Sequence, residues 1–138
     1  YLDQVVKEAQ RLHAVVPIVS RSVKNDVEHD GYIIPANAIL VLSIRGVQLD
    51  PKFWKNPEIF DPERWEDPSS IAANSFLPFG EGPHNCIGQK MAVIEMKIIL
   101  INLLSRFTLE LIEDQEINFI NTITLGLKNG LKLKVFAD

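Results

Sequence analysis

The sequence predicts a mixed α and β fold that is mainly α. Residues 1–13 carry apolar side chains at helical intervals, and residues 89–104 form an apolar run without Pro or Gly. Between and after these segments stand short runs rich in β-branched residues, bounded by Pro, Asn and Gly. We therefore expect one helix at each of these two places, small sheets and irregular connections.

The first segment, residues 1–13, is predicted to be a helix because its apolar residues recur every three or four positions. These residues are Leu2, Val5, Val6, Ala9 and Leu12. An edge or irregular strand is expected next, because Pro17 interrupts a β-branched run and cannot donate to a strand ladder. That run consists of Val15, Val16, Ile18 and Val19, and Arg21 stands near its end.

Residues 32–34 and 38–44 are two β-rich runs separated by Pro35, Ala36 and Asn37, and they are predicted to pair as a hairpin. Residues 50–75 are rich in Pro, Asp, Asn and Ser and are predicted to meander without regular structure. Large aromatic residues within this stretch favour an ordered coil, because each buries much apolar area. They are Phe53, Trp54, Phe60 and Trp65.

Residues 89–104 are apolar on almost every side of a helix, which predicts a deeply buried helix. Short strands are expected from Phe107 onward. Lys128, Asn129 and Gly130 precede an alternating apolar and basic run, and they predict a hairpin turn.

Composition excludes several classes of protein. With 14 basic and 18 acidic residues the net charge is −4, which gives no general reason to expect nucleic acid as a partner. A single cysteine excludes an intramolecular disulfide and a multi-cysteine metal site. The apolar runs are too short to span a bilayer, and no leader pattern is present. We expect the chain to be a piece of a longer protein.

The sole cysteine, Cys86, stands in the loop before the most apolar helix. Free N–H groups and the positive dipole end of a helix stabilise a thiolate and lower its pKa. Gly80, Gly82 and Gly88 allow tight turns and the close approach of something flat, while Phe79 supplies an apolar cover that would keep water from the sulfur. A shielded thiolate suits metal ligation.

The residues of this loop allow three other interpretations. Taken alone, Cys86 is better explained as a small buried hydrophobe, because free cysteine is among the most buried residue types. A dinucleotide loop is disfavoured by the glycine spacing and by Pro83. Zinc would need two ligands besides His84 and Cys86, and the remaining histidines are distant in sequence.

Residues 79–88 resemble the heme-binding loop of the cytochrome P450 family, whose pattern is F-x-x-G-x-x-x-C-x-G. Phe79, Gly82, Cys86 and Gly88 fill every fixed position. The resemblance implies the C-terminal part of the cytochrome P450 fold, with Cys86 as the axial ligand of heme iron. It also implies that His84 pairs with a heme propionate; without the resemblance, His84 is equally a residue that caps a turn.

Other segments resemble further landmarks of this family in order. Glu8 to Arg11 resemble the E-x-x-R of its K helix, and Pro62 to Trp65 resemble the Pro-Glu-Arg-aromatic element of its meander. The resemblance implies a buried ion network of Glu8, Arg11 and Arg64, whereas Glu8 and Arg11 by themselves are an ordinary surface pair at i,i+3 spacing. Arg21 resembles the second propionate ligand, or else it is a solvated strand end.

The resemblance covers nearly all 138 residues and implies a partial cytochrome P450 domain over residues 1–138. It implies heme b, O2, an apolar small-molecule substrate, and electrons from a flavoprotein reductase or a ferredoxin. Two segments resemble parts of the family that can touch substrate. They are the run with Val15, Val16, Ile18 and Val19, and a hairpin near residues 122–125 that contains Ile123 and Thr124. The parent is expected at the endoplasmic reticulum membrane through an N-terminal anchor outside this chain if eukaryotic, and in the cytoplasm if bacterial.

The chain departs from the family at a few positions. Gln10 stands where Leu is common, Ala14 where Pro is common, and Gln48 and Leu49 where His and Arg often precede Asp-Pro. The long central helix of the family, with its acid and alcohol, is not in this chain. Two alternatives stay open: a family member that rearranges or dehydrates oxygenated lipids without external electrons, and a non-catalytic truncated remnant. The isolated 138 residues are expected to be inactive.

Overall fold

The computed structural model describes residues 1–137. Its regular elements are, in order, α1 (Leu2–Leu12), β1 (Ile18–Ser22), β2 (Val27–His29), β3 (Tyr32–Ile34), β4 (Ile39–Ser43), α2 (Ile44–Gln48), α3 (Gln89–Leu104), β5 (Phe107–Leu111), β6 (Phe119–Asn121), β7 (Leu125–Leu127) and β8 (Leu133–Ala137). Three short 3-10 turns, Pro62–Trp65, Pro68–Ser70 and Gly82–His84, lie between α2 and α3. The mixed α and β fold is confirmed.

Helix α1 agrees with the predicted span to within one residue at each end. It is strongly amphipathic, and its inner face buries Val6, Glu8, Arg11 and Leu12. The predicted edge strand is also present, but β1 begins only after Pro17, so that Val15 and Val16 lie in an irregular bend. Proline has no N–H to donate, which explains why the ladder starts after it.

The strands of residues 1–137 form four separate two-stranded antiparallel sheets: β1 with β4, β2 with β3, β5 with β8, and β6 with β7. The small sheets that the sequence predicted are confirmed. Their pairing differs from the prediction in two places.

The predicted hairpin between residues 32–34 and 38–44 is wrong. Strand β3 pairs instead with β2, which sequence analysis did not identify, across the two-residue turn Asp30-Gly31. Both turn residues have left-handed backbones, with φ of 49° and 79°, and such turns match the natural twist of a hairpin. The segment around Pro35 then carries the chain to the other sheet, where β4 pairs with β1.

The hairpin predicted from Lys128 to Gly130 is also wrong, although a turn is present there. Gly130 has φ 69°, and its N–H donates to the carbonyl of Leu127 at 3.5 Å. This turn connects two sheets, because β7 pairs with β6 while β8 pairs over five positions with β5. The hairpin expected near residues 122–125 is present between β6 and β7.

Helix α2 was not predicted, because β-branched residues continue from β4 into it. Ser43 begins this helix by accepting a hydrogen bond from the Gly46 N–H at 3.1 Å. Such a cap satisfies an N–H that has no partner within the helix. The helix ends at Gln48, which is fully buried.

The meander is ordered by its aromatic side chains, as predicted, and contains two 3-10 turns instead of being wholly irregular. Trp54 and Trp65 are only 2% and 7% exposed, and their ring centroids are 5.4 Å apart. Trp65 also packs on Phe76 at 4.6 Å. Phe53 and Phe60, in contrast, are exposed.

Helix α3 has the predicted bounds, but the prediction that it is deeply buried is wrong for this chain. None of its residues is buried, and Met91 and Ile94 are 72% and 58% exposed. Helix α1 and strand β5 pack against α3, and Lys97 Nζ lies 2.6 Å from a carboxylate oxygen of Asp3 on α1. The described residues leave the rest of its apolar surface uncovered.

Within residues 1–137, no helix is both long and apolar enough to cross a membrane.

Candidate functional site

A largely apolar cavity of about 330 Å³ contains the only cysteine. It lies between the end of α1, β1, the loop before α3, and α3 itself. Its walls are Gln10, Val15, Val16, Val19, Ile44, Leu77, Pro78, Phe79, Gly80, Cys86, Ala92 and Met96. The fold thus brings together residues between positions 10 and 96 of the sequence around one sulfur atom.

The Cys86 loop, residues 76–88, is held by hydrogen bonds within its own backbone. The Cys86 N–H donates to the Phe79 carbonyl at 2.9 Å, and the Cys86 carbonyl accepts from the Gln89 N–H at 3.3 Å. Gly80 and Gly82 have φ of 73° and 77°, a left-handed conformation that side chains disfavour. These bonds place Cys86 just before the first turn of α3, as predicted.

Cys86 is a free, exposed thiol, so the interpretation of this residue as a buried hydrophobe is wrong. The expected shielding of the sulfur by Phe79 is also wrong. Phe79 lies in the wall of the same open cavity, and that wall does not close over the cysteine. A Cβ atom added to Gly82 would have no described atom within 4 Å, so this side of the loop is open to a large neighbour.

Glu8 and Arg11 form a buried ion pair, and both are 0% exposed. Arg11 Nε donates to Glu8 Oε2 at 2.9 Å, and Nη2 donates to Oε1 at 2.8 Å. The remaining Arg11 N–H groups reach the carbonyls of Gln48, Pro57 and Ile59. All five donors of the guanidinium therefore have acceptors, which a buried cation requires.

Arg64 completes the network that the resemblance implied. Its Nε donates to Glu8 Oε1 at 3.0 Å, and its other nitrogens donate to the carbonyls of Lys55 and Ile59. Sequence analysis missed two further donors to Glu8, the Trp65 indole N–H and the Asp61 backbone N–H, each at 2.9 Å. The network thus joins α1 to the meander.

The pKa of Glu8 lies below its usual value. Burial acts to raise this pKa, but hydrogen bonds from Arg11, Asp61, Trp65 and Arg64 together lower it by more. The carboxylate is therefore ionised at neutral pH, and its charge is balanced by two guanidinium groups.

Gln48 is another buried residue that sequence analysis did not place in the site. Its side chain is 0% exposed and bonds to the end of α1 and to Leu77 in the Cys86 loop. The only signal in the sequence was its departure from the residue common at this position. That signal carried no information on its partners.

Neither predicted propionate ligand lies among the cavity walls. Arg21 is exposed on β1, where its Nη1 donates to the Ser20 carbonyl at 2.8 Å. His84 is exposed at the end of the 3-10 turn Gly82–His84, two residues before the cysteine. Their predicted role stays a prediction.

The residues predicted to touch substrate are divided between two places. Val15, Val16 and Val19 line the cavity with Cys86, whereas Ile18 and Ile123 line a second one beside it in the fold. The Leu125 N–H donates to the Val15 carbonyl at 2.7 Å, so the β6–β7 hairpin, which carries Thr124 in its loop, is tied to the bend before β1.

The donor set indicates what kind of metal centre this site suits. Within residues 1–137, no group of three His, Cys, Asp or Glu side chains is placed to hold a metal ion. One sulfur in an apolar cavity cannot hold a bare ion, but it can supply the axial ligand to an iron whose other ligands come from a porphyrin. The open loop and apolar walls fit such a flat, apolar group.

Comparison with known proteins agrees with this chemistry. The cytochrome P450 family model matches residues 1–135. The chain is 40% identical over 119 residues to cytochrome P450 3A13 of Mus musculus, covering 85% of this chain and 24% of that protein. It is 43% identical over 111 residues to cytochrome P450 4F2 of Homo sapiens, covering 78% and 21%.

A third relative is the lithocholate 6-beta-hydroxylase of Mesocricetus auratus, 36% identical over 141 residues, covering 99% of this chain and 28% of that protein. The chain therefore spans about a quarter of the length of these relatives.

Among solved structures, the heme domain of cytochrome P450DA superposes with a TM-score of 0.92 at 26% identity, covering 99% of this chain and 31% of that one. A mutant of the same heme domain gives the same TM-score at 27% identity, covering 99% and 32%. Family membership implies a heme cofactor. Sequence, fold and the cysteine cavity all lead to one conclusion: this chain belongs to the cytochrome P450 family.

Proposed function

We propose that the chain is the C-terminal, heme-binding portion of a longer heme-thiolate monooxygenase, with the Cys86 thiolate as the axial ligand of the iron of heme b. The observation that carries this proposal is the exposed thiol of Cys86 in a largely apolar cavity, at the family's cysteine position. When bound, the heme supplies O2 activation, and a thiolate ligand favours O–O cleavage.

The residues of the chain have separate tasks in this function. The Cys86 loop presents the sulfur, while Phe79, Ala92 and Met96 line the same cavity and would give a bound heme apolar contacts. His84 and Arg21 are proposed to neutralise the two heme propionates, since imidazolium and guanidinium groups suit carboxylates. Both side chains are exposed, which supports this role because neither is enclosed by other residues of the chain.

The substrate is proposed to be an apolar small molecule, contacted by Val15, Val16, Ile18, Val19, Ile123 and Thr124. The apolar character of the bend before β1 supports this class of substrate. The relative from Mesocricetus auratus is named for hydroxylation of lithocholate, which supports hydroxylation as the class of reaction. The complete enzyme would take electrons from a flavoprotein reductase or a ferredoxin. Its proposed location is the endoplasmic reticulum membrane if the source is eukaryotic and the cytoplasm if it is bacterial.

The isolated 138 residues are proposed to lack this activity. The cavity with Cys86 is open, and α3 exposes most of its apolar side chains. In the longer relatives, about three quarters of the polypeptide lies outside the matching segment. Much of any pocket around heme and substrate would therefore come from other residues.

The decisive experiment is the Soret spectrum of the reduced, carbon monoxide-bound form of the complete protein that contains this chain. We expect the red-shifted band of thiolate ligation, and we expect Cys86→Ser to abolish it. His84→Gln is the matched control in the same loop; it should weaken heme retention and keep the position of the band. A histidine-type spectrum in the unmodified protein, or an unchanged band in Cys86→Ser, would disprove the proposal.

A further inference from the structure

We infer that Gln48 is a positioning residue that fixes the Cys86 loop against the buried ion network. This inference rests on the proposed function, because its consequence is the placement of the sulfur that would bind iron. It assigns a role to a side chain that touches neither the cavity nor the cysteine.

The side chain of Gln48 is completely buried, and its amide makes three hydrogen bonds. Nε2 donates to the carbonyls of Gln10 and Arg11 at 3.0 and 3.1 Å, and Oε1 accepts from the Leu77 N–H at 2.9 Å. Both donors of the amide and its carbonyl oxygen are therefore in use. One side chain connects the last turn of α1 to the start of the Cys86 loop.

Arg11 and Gln48 are joined by two reciprocal hydrogen bonds, each from a side chain to the other residue's carbonyl. The Gln48 side chain donates to the Arg11 carbonyl, while Arg11 Nη1 donates to the Gln48 carbonyl at 2.9 Å. Because Arg11 is in turn held by Glu8, the position of Gln48 is fixed by the most completely satisfied polar cluster described above. A buried, fully satisfied network of this kind is rigid.

From Leu77 the connection continues to the cysteine through two backbone hydrogen bonds. The Gly80 N–H donates to the Leu77 carbonyl at 3.0 Å, and the Cys86 N–H donates to the Phe79 carbonyl at 2.9 Å. Leu77 and Cys86 also line the same cavity. A shift at Leu77 would therefore move the backbone segment that holds the Cys86 N–H.

The Gln48–Leu77 hydrogen bond affects the position of the Cys86 loop, and its loss leaves the charge pairing of the ion network intact. Ligand residues at a metal centre need supporting hydrogen bonds that hold them in a narrow range of geometry. Without the Gln48 acceptor, the Leu77 N–H loses its partner and the loop relaxes to find another. The ion network itself would keep its charges paired, because Arg11 and Arg64 each bond directly to Glu8.

The test compares variants of the complete holoprotein. Gln48→Met removes the amide at nearly constant length and volume. We expect it to lower the thiolate-ligated fraction of the reduced, carbon monoxide-bound protein by about twofold or more and to speed hydrogen exchange of the Leu77 amide about tenfold, as for the loss of one buried hydrogen bond. Gln48→His has one donor and one acceptor in its neutral form and should restore most of both signals.

Gln115 provides a matched control. Its Nε2 donates to the carbonyls of Ile112 and Lys132, each at 2.8 Å, and its Oε1 accepts from the Lys132 N–H at 2.9 Å. It therefore makes the same three kinds of bond as Gln48, but between the segment after β5 and the segment before β8. Gln115→Met should leave the thiolate band and the Leu77 exchange rate unchanged.

An unchanged thiolate fraction in folded Gln48→Met would overturn the inference, and so would an equal loss in Gln115→Met. If Gln48→Met yields no folded protein, Gln48→His decides: a near-normal band supports the positioning role, and a lost band in a folded His variant refutes it. Rapid exchange of Leu77 in the unmodified protein would refute the link directly. A missing thiolate band in the unmodified protein would disprove the proposed function, while the Leu77 measurement would still test the link.

Discussion

Glu8 is an ionised side chain withdrawn from solvent, and five donors surround its two oxygens. Three come from the guanidinium groups of Arg11 and Arg64, and the others are the Trp65 indole and the Asp61 backbone N–H. A charge of this kind is costly to bury, but it is far more costly to leave its partners unpaired. Glu8 therefore holds helix α1 and the meander together.

The first prediction concerns Glu8→Gln in the complete protein. This change leaves two buried or nearly buried guanidinium groups without their counter-charge, and we expect a loss of about 3–5 kcal/mol of stability at neutral pH. The pKa of Glu8 is lowered in the folded state, so its stabilisation is present above the ordinary value of about 4.3 and is lost as pH falls through the folded value.

Thermal unfolding measured across acidic pH checks both parts. The unmodified protein should lose more stability below about pH 4 than Glu8→Gln does. Hydrogen-bonded Asp3 and Asp67 also have lowered pKa values, and their contribution is common to both proteins. Glu113→Gln, at an exposed position, should behave like the unmodified protein. Equal acid sensitivity in Glu8→Gln would contradict the assignment.

At the scale of elements, the meander is held by side chains instead of by a strand ladder. Its two tryptophans differ in one respect. The Trp65 indole N–H donates to Glu8 Oε2, whereas Trp54 Nε1 is buried with no hydrogen-bond partner among the described residues. The Trp54 ring lies near both guanidinium groups, at 5.2 Å from Arg11 Cζ and 6.0 Å from Arg64 Cζ.

This difference in hydrogen bonding predicts that Trp→Phe substitution lowers the free energy of unfolding by different amounts at positions 54 and 65. Trp65→Phe removes a hydrogen bond to a buried charge, and it should cost about 1.5–3 kcal/mol more than Trp54→Phe, which removes an indole N–H that lacks an acceptor. Chemical denaturation of the two variants measures the difference. Equal destabilisation would show that the Trp65 bond adds nothing to the meander beyond aromatic packing.

At the scale of the whole molecule, apolar surface is distributed unevenly. The buried polar cluster lies between α1, α2 and the meander, while α3 turns many of its apolar side chains to the outside. Large contiguous apolar surfaces in soluble proteins mark contacts with another surface. In this chain α3 is the helix most exposed in this way.

We therefore predict that the isolated 138-residue chain self-associates as its concentration rises. Sedimentation velocity should show a growing average mass, and replacing Ile94 and Ile98 together with Lys should reduce it, because both are more than half exposed on α3. The matched comparison replaces Ile33 and Ile39 with Lys, because these two residues are also exposed but lie in the small sheets and not on α3. A monomer over the full concentration range would contradict the prediction.

Much of the site was predictable from local pattern. The glycine and cysteine spacing of residues 79–88 identified the loop, and the helical spacing before it and the apolar run after it identified α1 and α3. Local signals also explain the errors. Asp30-Gly31 closed a tighter hairpin than the Pro35 turn, and the Gly130 turn connected two sheets instead of two paired strands. A turn motif indicates where a chain reverses, but not which strand it will pair with.

The sequence by itself determined the family, the position of the only thiol and the bounds of the two main helices, because each depends on residues close together along the chain. The resemblance implied that Glu8 meets Arg64, but only the tertiary structure decided that Trp65, 57 positions away, also bonds to Glu8 and that Gln48 joins α1 to the cysteine loop. It also decided that Cys86 stays exposed and α3 uncovered. Burial and hydrogen-bond partners depend on which distant segments pack together, and no local spacing records that choice.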